Sequence, residues 1–166
     1  MTAPEPPIEL RRLRWVGPLT IGLAVGANLI VRELLMALIS LPREFPPLQP
    51  WAIALFTALG VAGAVGVFWV VARLSPRPLR TYRIVAGIAL VLSAVPNLAL
   101  LGADPRSVPF PGLAPLPVLI LLVFHVVAAA VSVGLLTTLT VRPSAPGERS
   151  GSSGDPRAGA RPSQLR

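Results

Sequence analysis

The stretch WAIALFTALGVAGAVGVFWVVA, residues 51–72, runs for 22 residues without one charged side chain. About 20 mostly apolar residues in a helix cross the hydrocarbon core of a bilayer, so this stretch is long enough. Trp51 and Trp69 lie 18 residues apart, or about 27 Å at helical rise. That separation sets one indole near each membrane interface, where tryptophan is enriched. The stretch therefore predicts a transmembrane helix, and the rest of the chain is read for others like it.

Three more runs qualify, at about Trp15–Ile39, Tyr82–Leu101 and Leu116–Thr140, each bounded by arginine or proline. Trp15 and Tyr82 stand at helix ends and fit the same aromatic belt. The composition agrees: 53% of residues are hydrophobic and 13% charged, with a mean hydropathy of +0.70, whereas an ordinary soluble domain is roughly 25% charged. The expected fold is an all-α integral membrane four-helix bundle, with a segment 1–14, a membrane domain 15–141 and a tail 142–166. In the tail 13 of 25 residues are Pro, Gly or Ser. Such a segment cannot bury a core, and it is expected to be disordered. Two connections are rich in proline, with Pro42, Pro46, Pro47 and Pro50 in one and Pro105, Pro109, Pro111 and Pro115 in the other. Proline stiffens the chain, so these read as rigid covers.

A net charge of +8 would suggest nucleic acid if the basic residues lined one soluble face. They do not. All fifteen are arginine, and twelve fall before helix one, around the turn between helices two and three, or after helix four. Only Arg43 and Arg106 occupy the other connections, each near a carboxylate, Glu44 or Asp104. The arginines thus act as topology signals that place both termini on the cytoplasmic side of a cell membrane, with lipid and no nucleic acid as the partner. The tail's arginines either touch anionic lipid or are simply solvated. A cleaved signal peptide is the rival reading of the first run. That run is longer than an h-region of roughly 7 to 15 residues and lacks a clear A-x-A site, so a retained helix is expected.

Cysteine is absent and His125 is the single histidine, which excludes disulfides, thiolate sites, bis-histidine haem and multi-histidine metal sites within one chain. No nucleotide-binding loop or nucleophile motif occurs. The chain is read as non-enzymatic, with no cofactor and no metal.

The informative residues are the polar ones at membrane depth: Asn28, Arg32 and Glu33 in helix one, Thr57 in helix two, Asn97 in helix three and His125 in helix four. Gly22, Gly26, Leu29 and Glu33 share one helical face. The Gly22/Gly26 pair forms a GxxxG pattern that admits a close helix, from this chain or from a second copy in a homo-oligomer. Counted from the far ends, Arg32 and Glu33 lie about 12 Å deep and His125 about 13 Å. Glu33 and His125 are therefore expected within about one water of each other. Thr57 shares a face with Gly60 and Ala64, and His125 with Ala129 and Ser132, so these faces are expected to look inward. Pro96 frees the carbonyl of Leu92 and invites a polar partner there.

The runs ANLIVRELL, PPLQPWAIALFTALGVAGAV, RPLRTYRIVAGIALVLSAVPNLALL and VFHVVAAAVSVGLLTTLT together resemble a family of small bacterial four-helix membrane proteins catalogued as a domain of unknown function. The resemblance spans about residues 14 to 141, with polar marks at Asn28, Arg32, Pro96, Asn97 and His125. It implies the fold and the membrane location, and it brings no catalytic residues.

Charge near mid-membrane is costly unless paired or hydrated, so Arg32 and Glu33 are expected to complete a polar cluster with Asn28, Thr57, Asn97 and His125. Three roles stay open for it: fixing helix register in a structural or interaction protein, binding a ligand or ion, and proton-coupled transport or export through Glu33.

Overall fold

Proline starts three of the four long helices. The computed structural model describes residues 5–39, 45–102 and 114–142 and contains α1 (Leu13–Leu38), α2 (Pro50–Leu74), α3 (Pro78–Leu101) and α4 (Pro115–Leu139). At the first helical position a proline loses no hydrogen bond and its ring presets φ. Pro78 therefore opens α3 four residues before the expected start at Tyr82. The loop residues Arg43, Glu44, Asp104 and Arg106, and the tail from residue 143 on, lie outside the described residues.

All four helices are long and apolar enough to cross a membrane. The protein is an all-α integral membrane four-helix bundle in which α1 packs on α2 and α4, and α3 packs on α4 and α2. Chain direction alternates. Ser75–Arg77 suffices to turn α2 into α3, with the Ser75 and Thr81 hydroxyls 2.8 Å apart across the turn.

We call the end holding Arg11, Arg12, Arg73, Arg77, Arg80 and Arg142 the basic end. Leu13, Val16, Phe68, Leu79, Tyr82 and Leu136 form its core. Phe68 and Tyr82 meet edge to face at 5.0 Å, a favoured aromatic geometry. Gly17 lets α1 approach α2 here: a Cβ on it would lie 3.2 Å from Val65 Cγ1. The segment before α1 crosses beneath this core. Ile8 bridges Val141, Glu9 N–H donates to Thr140 O at 2.9 Å, and Arg142 N–H donates to Pro7 O at 3.1 Å. The Glu5 carboxylate accepts from the Leu79 and Arg80 amides at 2.9 and 3.0 Å. It thereby supplies the cap that no local side chain gives α3.

At the opposite end a second core gathers Phe45, Leu48, Ile53, Ile120 and Phe124 around a short 3-10 turn, Pro46–Leu48. Hydroxyls within the helices bond back to the preceding turn, as Thr20 does to Val16 O and Ser132 to Ala128 O, both at 2.7 Å. In a bilayer this satisfies a polar group without water.

Candidate functional site: a cleft between α2 and α3

Asn28 joins three helices. Its Nδ2 donates to Thr57 Oγ1 of α2 at 2.9 Å and to the Phe124 carbonyl of α4 at 3.2 Å. Leu13, Val16, Gly17, Thr20, Ala24 and Asn28 are the buried residues of α1, a stripe at steps of three and four that faces the bundle.

Beside Asn28 lies a cavity of about 630 Å³ between α2 and α3, floored by α4. Small residues make its walls: Gly60 and Ala64 from α2, Ala86 and Ala89 from α3, Ala128 and Ala129 from α4. Phe56, Gly60, Ala89 and Pro96 line it and are also exposed, so it opens sideways as a cleft. Among the described residues no Arg, Asp or Glu lines it.

Four of the six expected polar residues line this cleft: Asn28, Thr57, Asn97 and His125. Asn28 and Thr57 are bonded to each other. Asn97 Nδ2 instead donates to Ser93 O at 3.0 Å, one residue beyond the Leu92 carbonyl that Pro96 leaves without its helical donor. His125 Nδ1 donates to Leu121 O at 2.7 Å.

Arg32 and Glu33 do not line the cleft, which corrects the expectation of one six-residue cluster. Five residues past Asn28 is about 140° around a helix, so when Asn28 faces inward Glu33 faces out. The Glu33 side chain is 68% exposed and is paired with the Arg32 guanidinium. The expected approach of Glu33 to His125 is not found: each bonds elsewhere. Arg32, only about 40° from Asn28, reaches the 3-10 turn, where its Nε donates to Leu48 O at 2.7 Å. Glu33 lies only about 8 Å from the end of α1 at Leu38, against about 12 Å expected.

Of the two neighbours expected for the glycine face, the one within this chain is not found. A Cβ added at Gly22 or Gly26 would meet nothing within 4 Å. The close approach of α1 within the chain runs through Gly17 instead. Tyr82, read from sequence as an interfacial aromatic, is 1% exposed and lines the cleft. The sequence held the signal: Tyr82, Ala86, Ala89, Ser93, Pro96 and Leu100 repeat at steps of three and four, and all line the cleft. Trp15, Trp51 and Trp69 do stay exposed, and Arg73 stacks over the Trp69 ring at 4.3 Å.

A family model described as a family of unknown function (DUF6069) matches residues 9–142. The matched span begins at the crossing segment and ends after α4. No curated protein and no solved structure matches the chain.

Proposed function

The chain belongs to this family of unknown function, and from that premise we propose that it is a non-enzymatic interaction protein of the cell membrane that holds a membrane-soluble ligand in its α2–α3 cleft. The observation that carries this reading is the cleft itself, with apolar walls, a few convergent polar groups and a lateral mouth. Ligand sites of roughly 300 to 1,000 Å³ have this makeup. The Asn28 bonds to α2 and α4 hold the cleft floor in register. The arginine-rich end faces the cytoplasm in this reading, supported by the arginine asymmetry of the short connections.

Proton-coupled export stands second, because the carboxylate it would use, Glu33, is outside the cleft and paired with Arg32. The open Gly22/Gly26 face suits a second copy, with lipid as the alternative cover.

The test uses a headgroup-free alkyl diazirine with the full chain in phosphatidylcholine nanodiscs. Saturable adducts on α2 and α3 residues that line the cleft are expected. Labelling that rises linearly with probe and spreads over all lipid-facing residues would overturn the reading.

A further inference from the structure

The Asn28 amide shows which chemistry the cleft recognises. Its two N–H hydrogens serve Thr57 Oγ1 and Phe124 O. A backbone carbonyl can only accept, so Phe124 O fixes which way the amide points. Asn28 Oδ1 is then an acceptor, and among the described residues it has no partner, although Asn28 is 1% exposed. A buried acceptor without a donor costs free energy that a ligand's donor recovers.

His125 adds a second acceptor. Its Nδ1 bonds Leu121 O, and the tautomer that donates there carries its lone pair on Nε2. His125 is ten residues from the start of α4 and Asn28 ten residues from the end of α1. Both therefore lie about 15 Å from the same end of the bundle. At this level the cleft presents two acceptors, Asn28 Oδ1 and His125 Nε2, while an unpartnered donor, the Tyr82 hydroxyl, lines its other end.

Resting on the cleft-binding reading above, we propose that the cleft takes a neutral long-chain lipid alcohol, whose hydroxyl donates to Asn28 Oδ1; that atom is fully enclosed in the structure, so the lining side chains shift to admit the hydroxyl. The alcohol's chain lies along the Gly60, Ala64, Ala86 and Ala128 wall toward Tyr82. A quinone, ester or ether brings acceptors only and leaves Asn28 Oδ1 unpaired. A fatty acid anion or an amine brings a charge that no residue of the lining balances at mid-membrane.

A diazirine-bearing long-chain alcohol is photolysed with the full chain in phosphatidylcholine nanodiscs, against unlabelled oleyl alcohol or oleyl methyl ether, two competitors that differ in the O–H. Oleyl alcohol is expected to displace the probe at about tenfold lower concentration than the ether, the discrimination of one buried hydrogen bond. Asn28→Leu should abolish the difference between the competitors. Because that variant also loses the bonds to α2 and α4, Gly60→Leu serves as a second. A Cβ there meets nothing within 4 Å, so bulk can be added without pushing on a neighbouring helix at the backbone, and a leucine at the mouth should reduce saturable labelling by the probe.

Equal competition by ether and alcohol, with adducts still in the cleft, overturns the hydroxyl preference and leaves the cleft-binding reading intact. No saturable labelling by the alcohol, where the headgroup-free diazirine still labels the cleft, means that water satisfies Asn28 and equally overturns the proposal. Loss of saturable labelling with both probes overturns the cleft-binding reading itself.

Discussion

The two halves of this bundle solve the same packing problem differently. At the basic end Phe68, Tyr82, Val16 and Leu136 are almost wholly buried, and the crossing segment before α1 is tied to the residues that follow α4. Toward the other half α2 and α3 present small residues to one another, and a cleft stands where large side chains could have met. In lipid no hydrophobic force draws helices together, so contact depends on packing and hydrogen bonds. Alanine and glycine on both walls leave a gap unless the backbones close, and here they do not. The contrast predicts that large side chains in the core of the basic end contribute more to stability than those at the cleft mouth.

The sharpest way to break this contrast is to remove one aromatic from each half. Phe68→Ala should destabilise the protein by about 3 kcal/mol, as large core truncations do, and lower its melting temperature in detergent. Phe56→Ala at the cleft mouth should leave that temperature within a degree or two. Equal losses would show that the halves are packed alike.

A smaller effect is expected at the boundary between them. Asn28→Ala removes two interhelical bonds at about 0.6 kcal/mol each, and should cost about 1 kcal/mol in thermal or chemical unfolding. Thr57→Val should cost about half as much, since only one of those bonds involves it.

Comparable is Glu5→Gln, which keeps only one of the two bonds to Leu79 and Arg80, because its Nε2 donates and cannot accept, and which removes the charge at the start of α3. A loss of about 1 kcal/mol is expected, of which the part due to the charge diminishes in high salt. A salt-independent loss would show that the dipole plays no part.

Glu33→Gln should be nearly silent, with a change under about 0.5 kcal/mol. The pair is exposed on the glutamate side, and Arg32 keeps its bond to Leu48 O. A loss of several kcal/mol in melting experiments would mean that Glu33 is buried against a second copy at the Gly22/Gly26 face.

Most of the architecture was legible. Helix number followed from run length between Arg and Pro, and the inward faces of α2 and α4 followed from Thr57, Gly60 and Ala64 and from His125, Ala129 and Ser132. What the sequence did not disclose was the rotation of α1. Two faces of that helix carry small residues: Gly17, Thr20 and Ala24 on one, Gly22 and Gly26 on the other. The GxxxG spacing favoured the second, and packing chose the first because Gly17 meets Val65. Rotating α1 by that amount takes Glu33 out of the interior and leaves Asn28 in it. Tyr82 was misread for a related reason. Its position near a helix end resembled an interfacial anchor, which hid the repeat of Tyr82, Ala86, Ala89 and Ser93 along one inward face, and Phe68 on α2 is the partner it meets there.

The Arg32 bond to Leu48 O bears on how the chain is made. The guanidinium lies near the end of α1, and the carbonyl that receives it emerges sixteen residues later, just ahead of α2. During synthesis α1 therefore reaches the translocon before its arginine has that partner. The charge finds it once the turn Pro46–Leu48 has followed, so α1 and α2 are best released into lipid together, as one hairpin.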